Sequence, residues 1–185
     1  MTMASSTFLA LAAARRSIRK YTAAPVAREK LEICLEASRL APSACNAQPY
    51  RFIVIDEPGL KEKFCAGVFA GVYSACKFAA AAPVMVAVVS DTGKLSAWLG
   101  NQVQDTNFRL VDIGIAAEHF VLAACEQGLG TCWLGWFDAK AAARALGLGA
   151  GKKVEVLLSV GYPDETPAPR KRKTIKEFAG YNNEL

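Results

Sequence analysis

The sequence has one histidine and six cysteines, and their arrangement excludes the common metal sites. His119 stands alone, and the cysteines at positions 34, 45, 65, 76, 125 and 132 form no Cys-x-x-Cys pair. Zinc and iron–sulfur sites need several clustered ligands, so neither is expected. Free thiols are typical of proteins in a reducing cytosol, and we therefore expect a cytoplasmic protein.

The sequence also lacks an apolar run long enough to cross a bilayer. The longest apolar stretch, residues 78–89, is interrupted by Pro83 and falls short of the roughly 20 residues that a membrane-spanning helix needs. Residues 1–14 have an apolar middle, but the basic residues follow it and no cleavage site is evident. This pattern predicts a surface helix rather than a signal peptide, and no membrane partner.

Composition predicts one ordinary globular domain spanning residues 1–185. The chain is 52% hydrophobic and 21% charged, with 14 glycines and eight prolines, which is close to globular averages and too poor in glycine and proline for a low-complexity chain. The formal net charge of +5 is compatible with an anionic ligand, an acidic partner or neither.

Hydrophobic periodicity predicts alternating helices and strands, and hence an α/β or α+β sandwich. From Leu99 to Gln127 no proline intervenes, which predicts a helix roughly 40 Å long. On it, the spacing of Asp105, Arg109 and Asp112 suits an ion-pair ladder. Four further helical regions are predicted: one ending near Ala14, one at Pro25–Leu40, one within residues 60–80 and one at Ala139–Leu146. The predicted strands are Tyr50–Ile55, Pro83–Ser90, Thr131–Leu134 and Val154–Val160.

Two basic segments could bind an anion. The first, RRSIRKY at residues 15–21, carries Arg15, Arg16, Ser17 and Arg19, and guanidinium groups present forked donors that match phosphate oxygens. The second, PAPRKRK at residues 167–173, is a proline-stiffened arm. The alternatives are a solvated basic face or charges that complement a helix C-terminus for the first segment, and a solvated tail or a patch for nucleic acid or an acidic partner for the second.

Two other segments could contact a flat heterocycle. The loop at residues 41–49 sets Ser43, Asn46 and Gln48 between two prolines, although such residues are also ordinary in loops. The segment GLGTCWLGWF at residues 128–137 lacks the G-x-G-x-x-G order and leads into a strand, so it is not a dinucleotide fingerprint. Its indoles could equally pack in the core.

Taken in order, these four segments resemble the nitroreductase family of FMN-dependent oxidoreductases. The resemblance runs from Arg15 to Phe178. It implies an α+β fold in which a central, mostly antiparallel sheet is flanked by helices in three layers. It also implies an intertwined homodimer with FMN at the interface, in which the long helix of residues 101–127 lies at the centre.

The resemblance also assigns residues to the cofactor. Its phosphate and ribityl chain would be held by one set of residues, its pyrimidine side by a loop of the opposite subunit, and its isoalloxazine by the aromatic segment. These sets are, in order, Arg15, Arg16, Ser17, Arg19, Arg170 and Arg172; Pro42, Ser43, Asn46 and Gln48; and Trp133, Leu134, Gly135 and Trp136.

By the same resemblance, NADH or NADPH would reduce the flavin, and a small electron-poor acceptor such as a nitroaromatic or quinone would reoxidise it in a ping-pong cycle. The cofactor carries such chemistry, so no catalytic side chain is expected. Cys45 and Cys132 are expected to fill space, and His119 to be structural. A non-catalytic FMN-binding module and a flavin-fragmenting or dehalogenating relative remain open.

Overall fold

A four-stranded sheet organises the computed structural model, which describes residues 7–91 and 106–182. The strands are β1 (Tyr50–Ile55), β2 (Val84–Asp91), β3 (Gly130–Leu134) and β4 (Lys152–Gly161). Their order across the sheet is β1-β2-β4-β3, and every neighbouring pair is antiparallel. The predicted mostly antiparallel sheet is therefore confirmed.

The central strand β2 is buried along nearly its whole length. Residues 84–90 are all buried, and only Asp91 at the end is partly exposed. Both faces of this strand are covered by helices, which explains why its sequence is apolar at almost every position rather than alternating. Neighbouring β4 passes so close that a Cβ built on Gly161 would lie 2.4 Å from Cδ of Pro83.

Helices cover the two faces of the sheet and complete an α+β sandwich. One core contains Leu31 and Cys34 from α2 together with Phe120 from α4, and the other contains Phe64 from α3 and Ala142 from α5. A 3₁₀ segment at Gly71–Ala81 lies beside α3. The helices are α1 (Thr7–Ala14), α2 (Arg28–Arg39), α3 (Pro58–Val68), α4 (Phe108–Glu126), α5 (Ala139–Ala145) and α6 (Ile175–Phe178).

The predicted long helix is shorter than expected at its N-terminal end. Thr106 and Asn107 are not helical, and Asn107 has φ −79° and ψ 77°. Helix α4 therefore has 19 residues, or roughly 28 Å. The predicted helical residues 99–105, with Asp105, lie outside the described ranges. Similarly, α2 begins at Arg28, three residues after Pro25.

The predicted ion-pair ladder on α4 is wrong for the two residues that the structure describes. Arg109 reaches across to Glu155 on β4, with 3.8 Å between Nη2 and Oε1. Asp112 is buried and accepts a hydrogen bond from the backbone N–H of Ala44 at 3.0 Å. Both side chains thus connect α4 to other elements instead of to each other.

Within residues 7–91 and 106–182, none of the helices combines the length and the apolar character that a membrane span requires.

Candidate functional site

The basic segment at residues 15–21 runs alongside β3. Helix α1 ends at Ala14, after which Ser17 forms a parallel bridge with Thr131 and the Ile18 N–H donates to the Thr131 carbonyl at 2.9 Å. This approach requires a glycine, since a Cβ on Gly130 would lie 2.7 Å from Cγ1 of Ile18. The strand β3 thereby fixes the direction in which Arg15 and Arg16 leave the helix.

Two segments far apart in the sequence meet at one cavity beyond the end of α1. Arg15, Arg16 and Ser17 line it from one side, and Arg170 and Arg172 line it from the other. This space, here called the arginine cavity, measures about 270 Å³, and Ala12, Ala13, Pro167 and Pro169 complete its lining. The structure therefore brings together five of the six residues that the resemblance assigns to a phosphate and its ribityl chain.

Most of the positive charge at this cavity has no anionic partner among the residues that the structure describes. Arg15 faces Glu118 on α4, with 3.5 Å between Nε and Oε1, whereas Arg16, Arg170 and Arg172 form no ion pair within the described part of the chain. The Arg16 guanidinium is instead held by backbone carbonyls, donating to that of Ala13 and, at 2.9 Å, to that of Arg15. Guanidinium groups that cluster without forming ion pairs to carboxylates, as these three do among the described residues, favour an anion between them.

Arg19 lies apart from this cavity. Its guanidinium carbon is 5.8 Å from the ring centroid of Phe78 in the 3₁₀ segment, which is a cation–π distance. The side chain of Cys132 lies in the same region. Burial raises the pKa of the Cys132 thiol, and the nearby charge of Arg19 opposes this only in part. A protonated thiol is a weak nucleophile, which supports the space-filling interpretation of this cysteine.

The C-terminal segment is attached to the basic segment by a short ladder of hydrogen bonds. The Thr22 N–H donates to the Tyr162 carbonyl, and the Asp164 N–H to the Lys20 carbonyl, both at 3.0 Å. Beyond them, Oε1 of Glu165 accepts from the backbone N–H groups of Arg19 at 2.5 Å and Lys20 at 3.2 Å. Sequence analysis missed Glu165, because nothing in the sequence distinguishes it from any other loop carboxylate.

A buried tyrosine supports the same segment from beneath. The Tyr21 hydroxyl donates to the Ile18 carbonyl at 2.6 Å and lies 2.8 Å from Oγ of Ser159 on β4. Burial raises the pKa of Tyr21 well above its usual range, so the phenol stays protonated as a donor. The backbone that carries Arg15, Arg16 and Arg19 is thus fixed to the sheet.

The aromatic segment places its four predicted residues in different environments. Trp133 is half-buried between the sheet and the helices, and the side chain of Leu134 belongs to the opposite core. Gly135 is exposed, and a Cβ built on it would meet no atom of the described residues within 4 Å beyond its chain neighbours; Trp136 is 57% exposed. The Trp136 indole N–H donates to the Val72 carbonyl at 2.9 Å. Of these four residues, only Trp136 thus presents a large exposed aromatic surface.

The predicted polar loop is built around three left-handed residues. Cys45 and Asn46 have φ of 52°, and Gln48 has φ of 45°, a conformation that is strained for residues with side chains. Hydrogen bonds hold it: the Gln48 amide donates to Oδ1 of Asn46 at 2.9 Å, and the Gln48 N–H to Oγ of Ser43 at 3.0 Å. The side chains of Pro42, Asn46 and Gln48 are exposed.

Asp112 anchors this loop to α4. Its carboxylate is buried and accepts the N–H of Ala44, the first residue of the 3₁₀ turn Ala44–Asn46. The loop residues 42–48 do not line the arginine cavity of their own chain. The structure therefore preorganises the loop but brings it to a different place from Arg15 and Arg172.

Comparison with known proteins identifies the family. The sequence profile of the Nitroreductase family matches residues 12–162. The chain belongs to this family. A relative from Archaeoglobus fulgidus, provisionally named NADH dehydrogenase/NAD(P)H nitroreductase, is 32% identical over 82% of each chain. A Vibrio harveyi NADPH-flavin oxidoreductase is 29% identical over 86% of this chain and 67% of its own.

Solved structures agree with this family assignment. The FMN-dependent nitroreductase of Clostridium difficile R20291 superposes with a TM-score of 0.76 at 28% identity, covering 94% of this chain and 98% of its own. The predicted fold class and the suspected family are thus confirmed.

Proposed function

We propose that this chain is an NAD(P)H-dependent oxidoreductase that binds FMN in a single domain and transfers a hydride equivalent to a small electron-poor acceptor. The observation that carries this proposal is the cavity in which Arg15, Arg16, Arg170 and Arg172 meet Ser17. The names of the C. difficile and V. harveyi relatives support FMN and a nicotinamide donor respectively.

The cavity fits a phosphomonoester in charge and in donors. A flavin phosphate carries about −1.5 to −2 charges at neutral pH, and Arg16, Arg170 and Arg172 form no ion pair among the described residues. Guanidinium groups and the Ser17 hydroxyl supply the hydrogen bonds that phosphate oxygens accept. Binding would also relieve the repulsion between neighbouring arginines.

The remaining residues suit the rest of the cofactor. The segment from Arg15 to Arg19 runs along β3 toward the aromatic segment, so a ligand with its phosphate at Arg16 could extend toward Arg19 and Trp133. Leu134 can contribute only its backbone there, because its side chain is buried in the core. Gly135, where the space that a Cβ would occupy is open, allows a flat ring to approach the backbone.

When bound, FMN supplies the redox chemistry by taking a hydride from NAD(P)H and passing it to the second substrate in a separate half-reaction. The chain holds and orients the cofactor. Arg19 contributes a positive charge away from the phosphate cavity, which favours negative charge on a bound ligand. The exposed Trp136, packed against Tyr73 at a centroid distance of 5.3 Å, offers an aromatic wall for a flat acceptor.

We further propose that the working form is a cytoplasmic homodimer. Phe8, Leu110 and Val111 expose large apolar side chains on α1 and α4, and a partner subunit would cover them. In such a dimer the exposed Asn46 and Gln48 would contact the cofactor of the opposite subunit. All six cysteines are free thiols, as in a reducing compartment.

Anaerobic reduction of the purified protein tests the catalytic proposal. We expect an oxidised-flavin absorption spectrum that bleaches on addition of NADH or NADPH and returns when a nitroaromatic or quinone is added. A protein that neither carries nor takes up FMN would refute the proposal, and one that binds FMN without consuming either nucleotide would be a binding module. Equilibrium sedimentation tests the dimer, which an FMN-bound monomer would contradict.

A further inference from the structure

The Glu165 carboxylate lies among basic residues, where it should oppose the binding of a phosphate. Arg15, Arg16 and Glu165 line a common cavity adjoining the arginine cavity. The role of Glu165 therefore cannot be electrostatic attraction of the cofactor, since a negative charge near a phosphate weakens phosphate binding. The contacts of Glu165 indicate a different role.

Glu165 joins the two chain segments that carry the arginines. Its Oε1 accepts both the Arg19 N–H at 2.5 Å and the Lys20 N–H at 3.2 Å, across 146 and 145 residues of sequence. Two residues after Glu165 the chain enters the proline-stiffened stretch Pro167–Pro169, which leads directly to Arg170 and Arg172. The position of Glu165 thus determines where this stiff arm begins.

We propose that Glu165 is a positioning residue for cofactor binding: by accepting the N–H groups of Arg19 and Lys20 it holds Arg170 and Arg172 against Arg15 and Arg16. This inference rests on the proposed FMN site. On this proposal, the gain in FMN affinity from holding the arm in place outweighs the repulsion between the Glu165 carboxylate and the phosphate. Charge and position therefore have opposite effects on FMN affinity, and the experiment can separate them.

Three variants make this separation. Glu165→Ala removes both the charge and the acceptor. Glu165→Gln removes the charge but keeps an amide oxygen at the place of Oε1, the atom that accepts both hydrogen bonds. Asp164→Ala is the matched control, because it removes a neighbouring exposed carboxylate while the backbone bond from Asp164 to Lys20 remains.

The dissociation constant for FMN, measured by flavin fluorescence titration of the apoprotein, is the primary readout. We expect it to rise about tenfold in Glu165→Ala, since two charge-assisted hydrogen bonds are lost. In Glu165→Gln and Asp164→Ala it should stay equal or fall slightly, because repulsion of the phosphate is reduced. Equal or tighter binding by Glu165→Ala would overturn the proposal, as would failure of Gln to restore affinity.

Trypsin cleavage of the apoproteins gives a readout that does not depend on the cofactor. Release of the arm should speed cleavage at residues 170–173 in Glu165→Ala but not in Glu165→Gln or Asp164→Ala, and unchanged cleavage would contradict the positioning role. A wild-type protein that binds no FMN would instead refute the proposed function, and the role of Glu165 in cofactor binding with it. The two failures are therefore distinguishable.

Discussion

Replacing Arg172 by alanine should weaken FMN binding strongly while leaving the fold intact. Arg172 lines the arginine cavity, is exposed on the C-terminal arm and forms no ion pair among the described residues. Its removal should therefore disturb little in the apoprotein. Loss of one hydrogen bond to a charged group costs about 2 kcal/mol, which corresponds to a roughly 30-fold rise in the dissociation constant.

The neighbouring Lys171 provides the control for this prediction. It is exposed, carries the same charge and does not line the cavity. Lys171→Ala should therefore change the dissociation constant only through long-range charge, by a factor that salt suppresses. Both variants would be titrated with FMN at low and physiological ionic strength, and their thermal unfolding compared. If the two variants lost affinity equally, the arm would act as a diffuse basic patch, and the proposal that the arginine cavity binds the FMN phosphate would be refuted.

Other predictions concern stability. Gly161→Ala should lower the free energy of unfolding by about 1–3 kcal/mol, because the new methyl group would meet the Pro83 ring. Gly135→Ala, where the space for a methyl group is open, should change that free energy by less than about 0.5 kcal/mol. Equal denaturant midpoints for the two variants would refute the predicted clash. Asp112→Ala should lower the free energy of unfolding by about 1–3 kcal/mol, because it leaves the Ala44 N–H unpaired. An unchanged denaturant midpoint would show that the hydrogen bond between Ala44 and Asp112 is dispensable. Burial raises the pKa of Cys34 from 9.0 to about 11. Between these two pH values the thiol stays protonated in the folded chain and ionises on unfolding, so the free energy of unfolding should fall as the pH rises from 9 to 11. Thermal unfolding at several pH values should show a shallower decline in Cys34→Ala, and an equal decline would refute this role of the thiol.

The sequence predicted the sheet well because its strands differ sharply from their surroundings. The run from Val84 to Ser90 is apolar at nearly every position, as expected of a strand that is covered on both faces. The end of α4 was less predictable. Neither proline nor glycine marks the break at Asn107, so local preference alone could not place it, and long-range contacts such as that of Arg109 with Glu155 were not visible.

The candidate site was also predictable only in part. Guanidinium clusters at Arg15 and Arg172 could be found because charge is visible in the sequence, and the structure brings them together. The contacts that hold these arginines and the loop of residues 42–48 could not be predicted, since Glu165 and Asp112 accept hydrogen bonds from backbone N–H groups. A backbone donor has no sequence signature, so such positioning carboxylates are found only from three-dimensional structure.

The arginine cavity joins residues near the two ends of the chain, Arg15 and Arg172, through a β-sheet that lies between them in sequence. A ligand held by both segments can bind only after β3 and β4 have formed and the arm has docked. Bound FMN would therefore stabilise the complete fold by mass action. Flavin content would then report whether the arm is present and docked: a polypeptide interrupted before residue 170 would lack Arg170 and Arg172 and should remain colourless.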